Sequence, residues 1–233
     1  MGKGSRRRKR KRRKETALAR RDGGGLALVP AAGAVVQVDL RMEQLELARG
    51  YDGLLRGAPE PTLIVAVFGA TAEHVRLAGR FLYRFERPGG FPCKVSPREP
   101  SRESCMVVLG PGARVVLLVL ALEEDSGRGL QAAYAALERA EAIVVWGSEH
   151  GSPLPMHLSE LDPTVLLPHL GHRVHVLVDG HDLGQHTPGD DWVDAGVVHG
   201  LPVAGSKRYR LHLCSPDGRN DWTAELLVGM RKG

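Results

Sequence analysis

Short apolar runs, each cut off by Gly or Pro, recur from residue 26 to the end of this 233-residue chain. That rhythm predicts strands. "VVQVDLRM" (35–42) alternates, with Val36, Val38, Leu40 and Met42 on one face and Gln37, Asp39 and Arg41 on the other, as a half-buried strand does. "TLIVAVFG" (62–69) reads as a strand buried on both faces. "GRFLYRFERP" (79–88) alternates Phe81, Tyr83 and Phe85 against Leu82, Arg84 and Glu86. "ESCMVVLG" (103–110), "ARVVLLVLALEED" (113–125) and "IVVWG" (143–147) are further strands. "RVHVLVDG" (173–180), "DWVDAGVV" (191–198), "KRYRLHLCS" (207–215) and "DWTAELLVGMR" (221–231) complete the set, with "DGRN" (217–220) as a turn.

One segment breaks this texture. "DSGRGLQAAYAALERAEA" (125–142) spaces Leu130, Ala133, Tyr134 and Leu137 as a helix does, with Asp125 or Ser126 as N-cap. The Pro- and His-rich piece 150–171 reads as loop with one short helix. The predicted fold is mainly β: an antiparallel sandwich of about eight or nine strands with a helix inserted near 126–142, occupying residues 26–233. An α/β fold is the rival, but strand–helix–strand occurs once, at 115–146, where a doubly wound sheet repeats it.

Charge divides the chain unevenly. Residues 1–22 hold twelve Lys/Arg and two acids, +10; the remainder holds 20 bases and 25 acids, −5. Like charges and the "DGGG" hinge (22–25) predict a disordered arm over 1–25. Its run Arg6, Arg7, Arg8, Lys9, Arg10, Lys11, Arg12, Arg13, Lys14 suits three partners. It would neutralise nucleic-acid phosphates with release of counterions. It would bind anionic lipid at roughly 1 kcal/mol per base. It also has the pattern of a nuclear address in a eukaryotic cell. No aromatic residue interrupts it, so any nucleic-acid contact there is to the backbone.

Three widely spaced cysteines, Cys93, Cys105 and Cys214, fit reduced thiols and a cytoplasmic setting. No apolar run reaches bilayer-spanning length, and no apolar segment of the kind found in a secretory signal follows the basic start. Cys93 and Ser215 lack a nucleophile elbow or a neighbouring base, and no glycine-rich phosphate loop occurs, so no catalytic residue is expected. His169, His172, His175, His181 and His186 are near one another, but strand spacing sends alternate side chains to opposite faces, against a zinc site.

Two loops are acidic: "YDGLLRGAPEP" with Asp52 and Glu60, and "VDGHDLGQHTPGDDWVDAG" with Asp179, Asp182, Asp190, Asp191 and Asp194. Calcium takes six to eight oxygens, which such loops offer. The same residues are also ordinary turn formers.

The order of these features resembles the calcium- and phospholipid-binding β-sandwich domains of synaptotagmins and protein kinase C. In that family a first strand leads to an Asp-containing loop and an acidic-Pro step, here "VVQVDLRMEQLELARGYDG" and "APEPTLIVAVFG". Near its end stand a strand, an Asp-rich loop and a new strand, here "HVLVDGHDLGQHTPGDDWVDAG". The likeness covers about 36–69 and 173–231. It implies calcium ligands at Asp52, Glu60, Asp179, Asp182, Asp190 and Asp191. His181 stands where a second Asp is usual, and Glu60 where Asp is usual. The resemblance therefore implies a degenerate member with a thinned ligand set.

Two functions follow. In the first, a non-enzymatic adaptor holds nucleic acid through the arm while the body binds a protein partner or its own copies. In the second, the arm and the sandwich loops engage an anionic membrane, with or without calcium.

Overall fold

The computed structural model describes residues 34–50, 59–71, 74–99, 102–147, 156–157, 174–185, 191–198, 201, 204–215 and 217–233. The basic run Arg6 to Lys14, Asp52 and Asp190 lie outside them.

The elements in chain order are β1 (Ala34–Arg49), β2 (Pro61–Ala70), β3 (Val75–Arg84), β4 (Cys93–Val95), β5 (Glu103–Leu109), β6 (Arg114–Glu123), α1 (Arg128–Glu138), β7 (Ile143–Gly147), β8 (Met156–His157), β9 (Val174–Val178), β10 (His181–Asp182), β11 (Asp191–Val198), β12 (Gly205–Cys214) and β13 (Asp221–Lys232). All pairings are antiparallel. The expected β-sandwich is present. Among the described residues it has thirteen strands, more than the eight or nine expected: ten correspond to the segments read as strands, and β4, β8 and β10 are two- or three-residue pieces too short to show a period.

Sheet I runs β12-β13-β1, and the far edge of β1 is shared by β4 and β5. Sheet II runs β11-β6-β2-β3. Sheet III runs β10-β9-β7-β8. Sheets I and II enclose one core, with Leu40, Leu45, Leu63, Leu117, Trp222 and Leu226 fully or almost fully buried. The other face of sheet II is covered by α1 and sheet III, with Phe68, Leu118, Leu120, Leu137, Val145 and Val176 between them. Sheet II is therefore a middle layer. Every residue of β2 is buried, and only Arg114 of β6 is not, which explains the unbroken apolar runs in their sequences. Each fully buried Leu, Val or Phe contributes about 1.5–3 kcal/mol.

β1 extends well past the expected 35–42. Val38, Leu40 and Met42 face the core as predicted, then a register shift between Met42 and Gln44 changes the phase so that Leu45 and Leu47 also point inward. β3 begins at Val75, earlier than expected, and Tyr83 and Phe85 are buried as predicted.

The helix is shorter than 125–142, and its N-cap is neither Asp125 nor Ser126. Gly127 occupies that position at φ 71°, a left-handed conformation that glycine adopts without strain, and no side chain caps the turn. Ser126 Oγ accepts the Arg128 N–H at 3.3 Å instead. Tertiary contact holds α1. The Arg80 guanidinium lies 3.9 Å from the Tyr134 ring centroid, Tyr134 Oη donates to the Arg80 carbonyl at 3.0 Å, and Arg80 pairs with Glu138 at 2.8 Å.

Candidate functional site

The strand registers give the sandwich two ends. At one lie the end of β1, the starts of β2, β11 and β13, and the ends of β3, β6 and β12. Of the expected acidic residues, Glu60 and Asp191 lie at this end, whereas Asp179 bonds the 141–142 segment, whose Glu141 carbonyl accepts the Val75 N–H at the start of β3. Asp191 stands opposite Glu123, which also stands opposite Pro61, next to Glu60. Glu60 pairs with Arg87 and, at 3.8 Å, with Arg98. Its neighbour across the sheet, Glu124, is held by Arg84 through two bonds of 2.7 and 2.9 Å, which hold the Arg84 guanidinium above its ordinary pKa.

Asp179 and Asp182 belong to the β9–β10 hairpin. Asp179 sits at φ 49°, and its Oδ1 accepts the N–H groups of Glu141 at 3.1 Å and Ala142 at 2.9 Å. Asp182 is buried and accepts the Gly184 N–H at 2.9 Å. His181 Nδ1 lies 3.1 Å from the Asp179 carbonyl. Asp194, counted with the acidic loop in the sequence, is a buried strut between sheets: its Oδ1 accepts the Ala195 N–H at 2.8 Å and its Oδ2 the Cys214 N–H at 2.9 Å. Among the described residues no three His, Cys, Asp or Glu side chains lie together as a metal ion would require.

The outer face of sheet I is a lattice of opposite charges. Arg208 meets Glu43 at 2.5 Å, Arg210 meets Glu46 at 3.3 Å and Glu225 at 3.4 Å, and Arg49 meets Asp221 at 3.0 Å. The Arg208 hydrogen bond holds the Glu43 carboxyl below its usual range.

The opposite end, where the chain enters β1, differs. Ala34 stands beside Leu109 and Val36 beside Lys232, while Ala70 stands beside Val75 and Arg114. A Cβ on Gly69 of β2 would lie 3.3 Å from the Val107 side chain of β5, so both sheets converge here. On these strands Arg76, Arg114, Lys207, Arg231 and Lys232 are exposed. Arg231 pairs with Asp39 at 3.3 Å, and Lys207 lies 4.9 Å from the Tyr209 ring centroid. Arg76, Arg114 and Lys232 have no acidic partner among the described residues. Sequence reading missed this end because its five bases are spread over four strands far apart in the chain, and only the registers bring them together.

No family model and no curated protein matches the chain. Among solved structures the chain is similar to a C2 domain of plant extended synaptotagmin 1, at 9% identity over 88% of this chain and 98% of that one, with a TM-score of 0.33. It is also similar to human GIVD cytosolic phospholipase A2, at 11% identity and a TM-score of 0.26, covering 86% of this chain and 33% of that one. The chain thus has a weak likeness to C2-type β-sandwiches, and the likeness is one of fold alone. Among the described residues no helix is long and apolar enough to cross a membrane.

Proposed function

We propose that this chain is a non-enzymatic peripheral module for anionic lipid surfaces, with the Arg6 to Lys14 run as its main contact. One observation carries the reading. The +10 segment precedes β1 in the chain, and the end of the sandwich at which β1 begins carries exposed Arg76, Arg114, Lys207, Arg231 and Lys232. Glu60, with its Arg87 and Arg98 partners, lies at the other end of the sandwich. Each arm base near an anionic bilayer supplies roughly 1 kcal/mol, screened by salt. The adaptor reading, with nucleic acid on the arm, uses the same charge. Phe91, the exposed large aromatic side chain among the described residues, sits in the β3–β4 loop at the other end, beside Gly50 and Pro59.

Sedimentation of the full chain with vesicles of phosphatidylcholine and about 30 mol% phosphatidylserine tests the proposal, at about 50 and about 500 mM salt. Strong binding at low salt, lost when Arg6 to Lys14 are all replaced by Gln, is the expected result. No binding at low salt, or preference for a duplex competitor over vesicles, defeats it.

A further inference from the structure

Among the described residues four large apolar side chains are exposed: Leu82, Phe91, Met106 and Val108. Two of them form a pair. Met106 is 49% exposed and Val108 50% exposed, and their spacing of two on β5 puts them on the same, outer face of sheet I. Val108 stands opposite Val35 in the β1–β5 register. A Cβ on Gly233 would lie 2.7 Å from Met106 Cε and 3.2 Å from Val35 Cγ1, so Met106 and Val35 meet over the end of β13. The three side chains make an apolar corner where the edge strand β5 meets the start of β1.

The surroundings decide what such a corner fits. Lys232 and Arg231 border it on β13, and Arg114 opens the strand that follows β5. Asp39 is already engaged by Arg231. Over the rest of sheet I's outer face, by contrast, acids and bases alternate in pairs. An apolar cluster rimmed by cations, on the strand that the +10 segment precedes in the chain, matches the two layers of an anionic bilayer: headgroup phosphates for the bases and the acyl boundary for the aliphatic side chains.

We infer that Met106, Val108 and Val35 form a shallow insertion surface, so that the β5 corner faces the lipid and the opposite end of the sandwich, with Glu60 and Phe91, points away. The inference rests on the lipid reading of the arm and adds an orientation to it. Electrostatic attraction by the arm is long-ranged and salt-sensitive; apolar contact is short-ranged and survives salt. Two weak signals acting together hold a protein on a membrane that either alone holds only fleetingly.

The test uses the full chain and the vesicles described above. Met106→Gln with Val108→Thr keeps strand propensity and removes apolar surface. It should weaken binding about three- to tenfold, with the larger deficit at high salt where the arm is screened. Val108→Trp should tighten binding and give an indole emission that shifts to the blue on adding vesicles. Phe91→Ser, at the far end, should bind as the parent does. Thermal melts establish that each variant is folded. If the parent binds but Met106→Gln/Val108→Thr binds equally at both salts, or Phe91→Ser alone is weakened, the orientation is wrong while the lipid reading stands. If the parent itself ignores vesicles at low salt, or binds only a nucleic-acid duplex, both fall together.

Discussion

Asp194 Oδ2 accepts the Cys214 N–H at 2.9 Å, joining the edge strand β11 of sheet II to the edge strand β12 of sheet I. The register shift between Trp192 and Asp194 turns this carboxylate toward the neighbouring sheet, and its other oxygen takes the Ala195 N–H. Asp194→Ala leaves the Cys214 N–H buried without that acceptor. A loss of about 2–3 kcal/mol is expected, read as a lower urea midpoint with an unchanged slope. Asp194→Asn keeps one acceptor and should lose less.

Much of the fold was legible because its signals are local. β2 and β6 are apolar throughout because both their faces are covered, and β11 matches its predicted span of 191–198. The second half of β1 was not legible: the slip at Glu43 breaks the alternation that carries the signal. The helix start was misread because Ser126 and Asp125 look like caps, while the chain uses the backbone freedom of Gly127. The site divides likewise. Glu60, Asp179 and Asp182 are conspicuous in sequence, yet each meets an internal partner that only the fold supplies. Met106 and Val108 read as ordinary strand residues, since nothing local tells an edge strand from a central one.

Arg80 latches the third layer to sheet II through the Tyr134 ring, the Tyr134 carbonyl and Glu138. Arg80→Ala should cost about 1–2 kcal/mol. The distinctive outcome is regional: amide exchange should speed up in α1 more than in β1 and β13. Uniform acceleration across all three sheets would refute a local latch.

The thiols should be sluggish in the folded chain. Burial, reinforced by Asp39, pushes Cys105 up to about 11, and burial also raises Cys93 and Cys214. Thiolate is the reactive form. Alkylation at about pH 8 should therefore be slow for all three in native buffer and fast in urea, as peptide mapping by mass spectrometry would resolve. Rapid native labelling of Cys105 would contradict the packing of β5 on β3.

Acid should weaken the β12–β13 hairpin. Burial pushes the Asp221 pKa upward, but hydrogen bonds from His212 at 2.8 Å and Arg49 at 3.0 Å outweigh it, and the carboxyl is held below its usual range. A depressed carboxyl stabilises the fold above its unfolded pKa of about 3.9, and the contribution disappears as pH falls through the lower folded value. Asp221→Asn should accordingly lower the urea midpoint at about pH 7, and the gap from the parent should close toward about pH 2. A gap that stays constant would remove Asp221 from the acid response.

β6 and β11 are neighbours in sheet II, yet α1 and sheet III intervene between them in the chain. Closing so long a loop slows folding. On the ribosome, β2, β3 and β6 emerge with two greasy faces and an open hydrogen-bonding rim. The next segments cover one face, and β11 then occupies the rim. The other face stays incomplete until β12 and β13 arrive and join β1. The nascent chain is most vulnerable to self-association in that interval, so its yield in a cell should depend on chaperone supply during synthesis more than on the stability of the finished molecule.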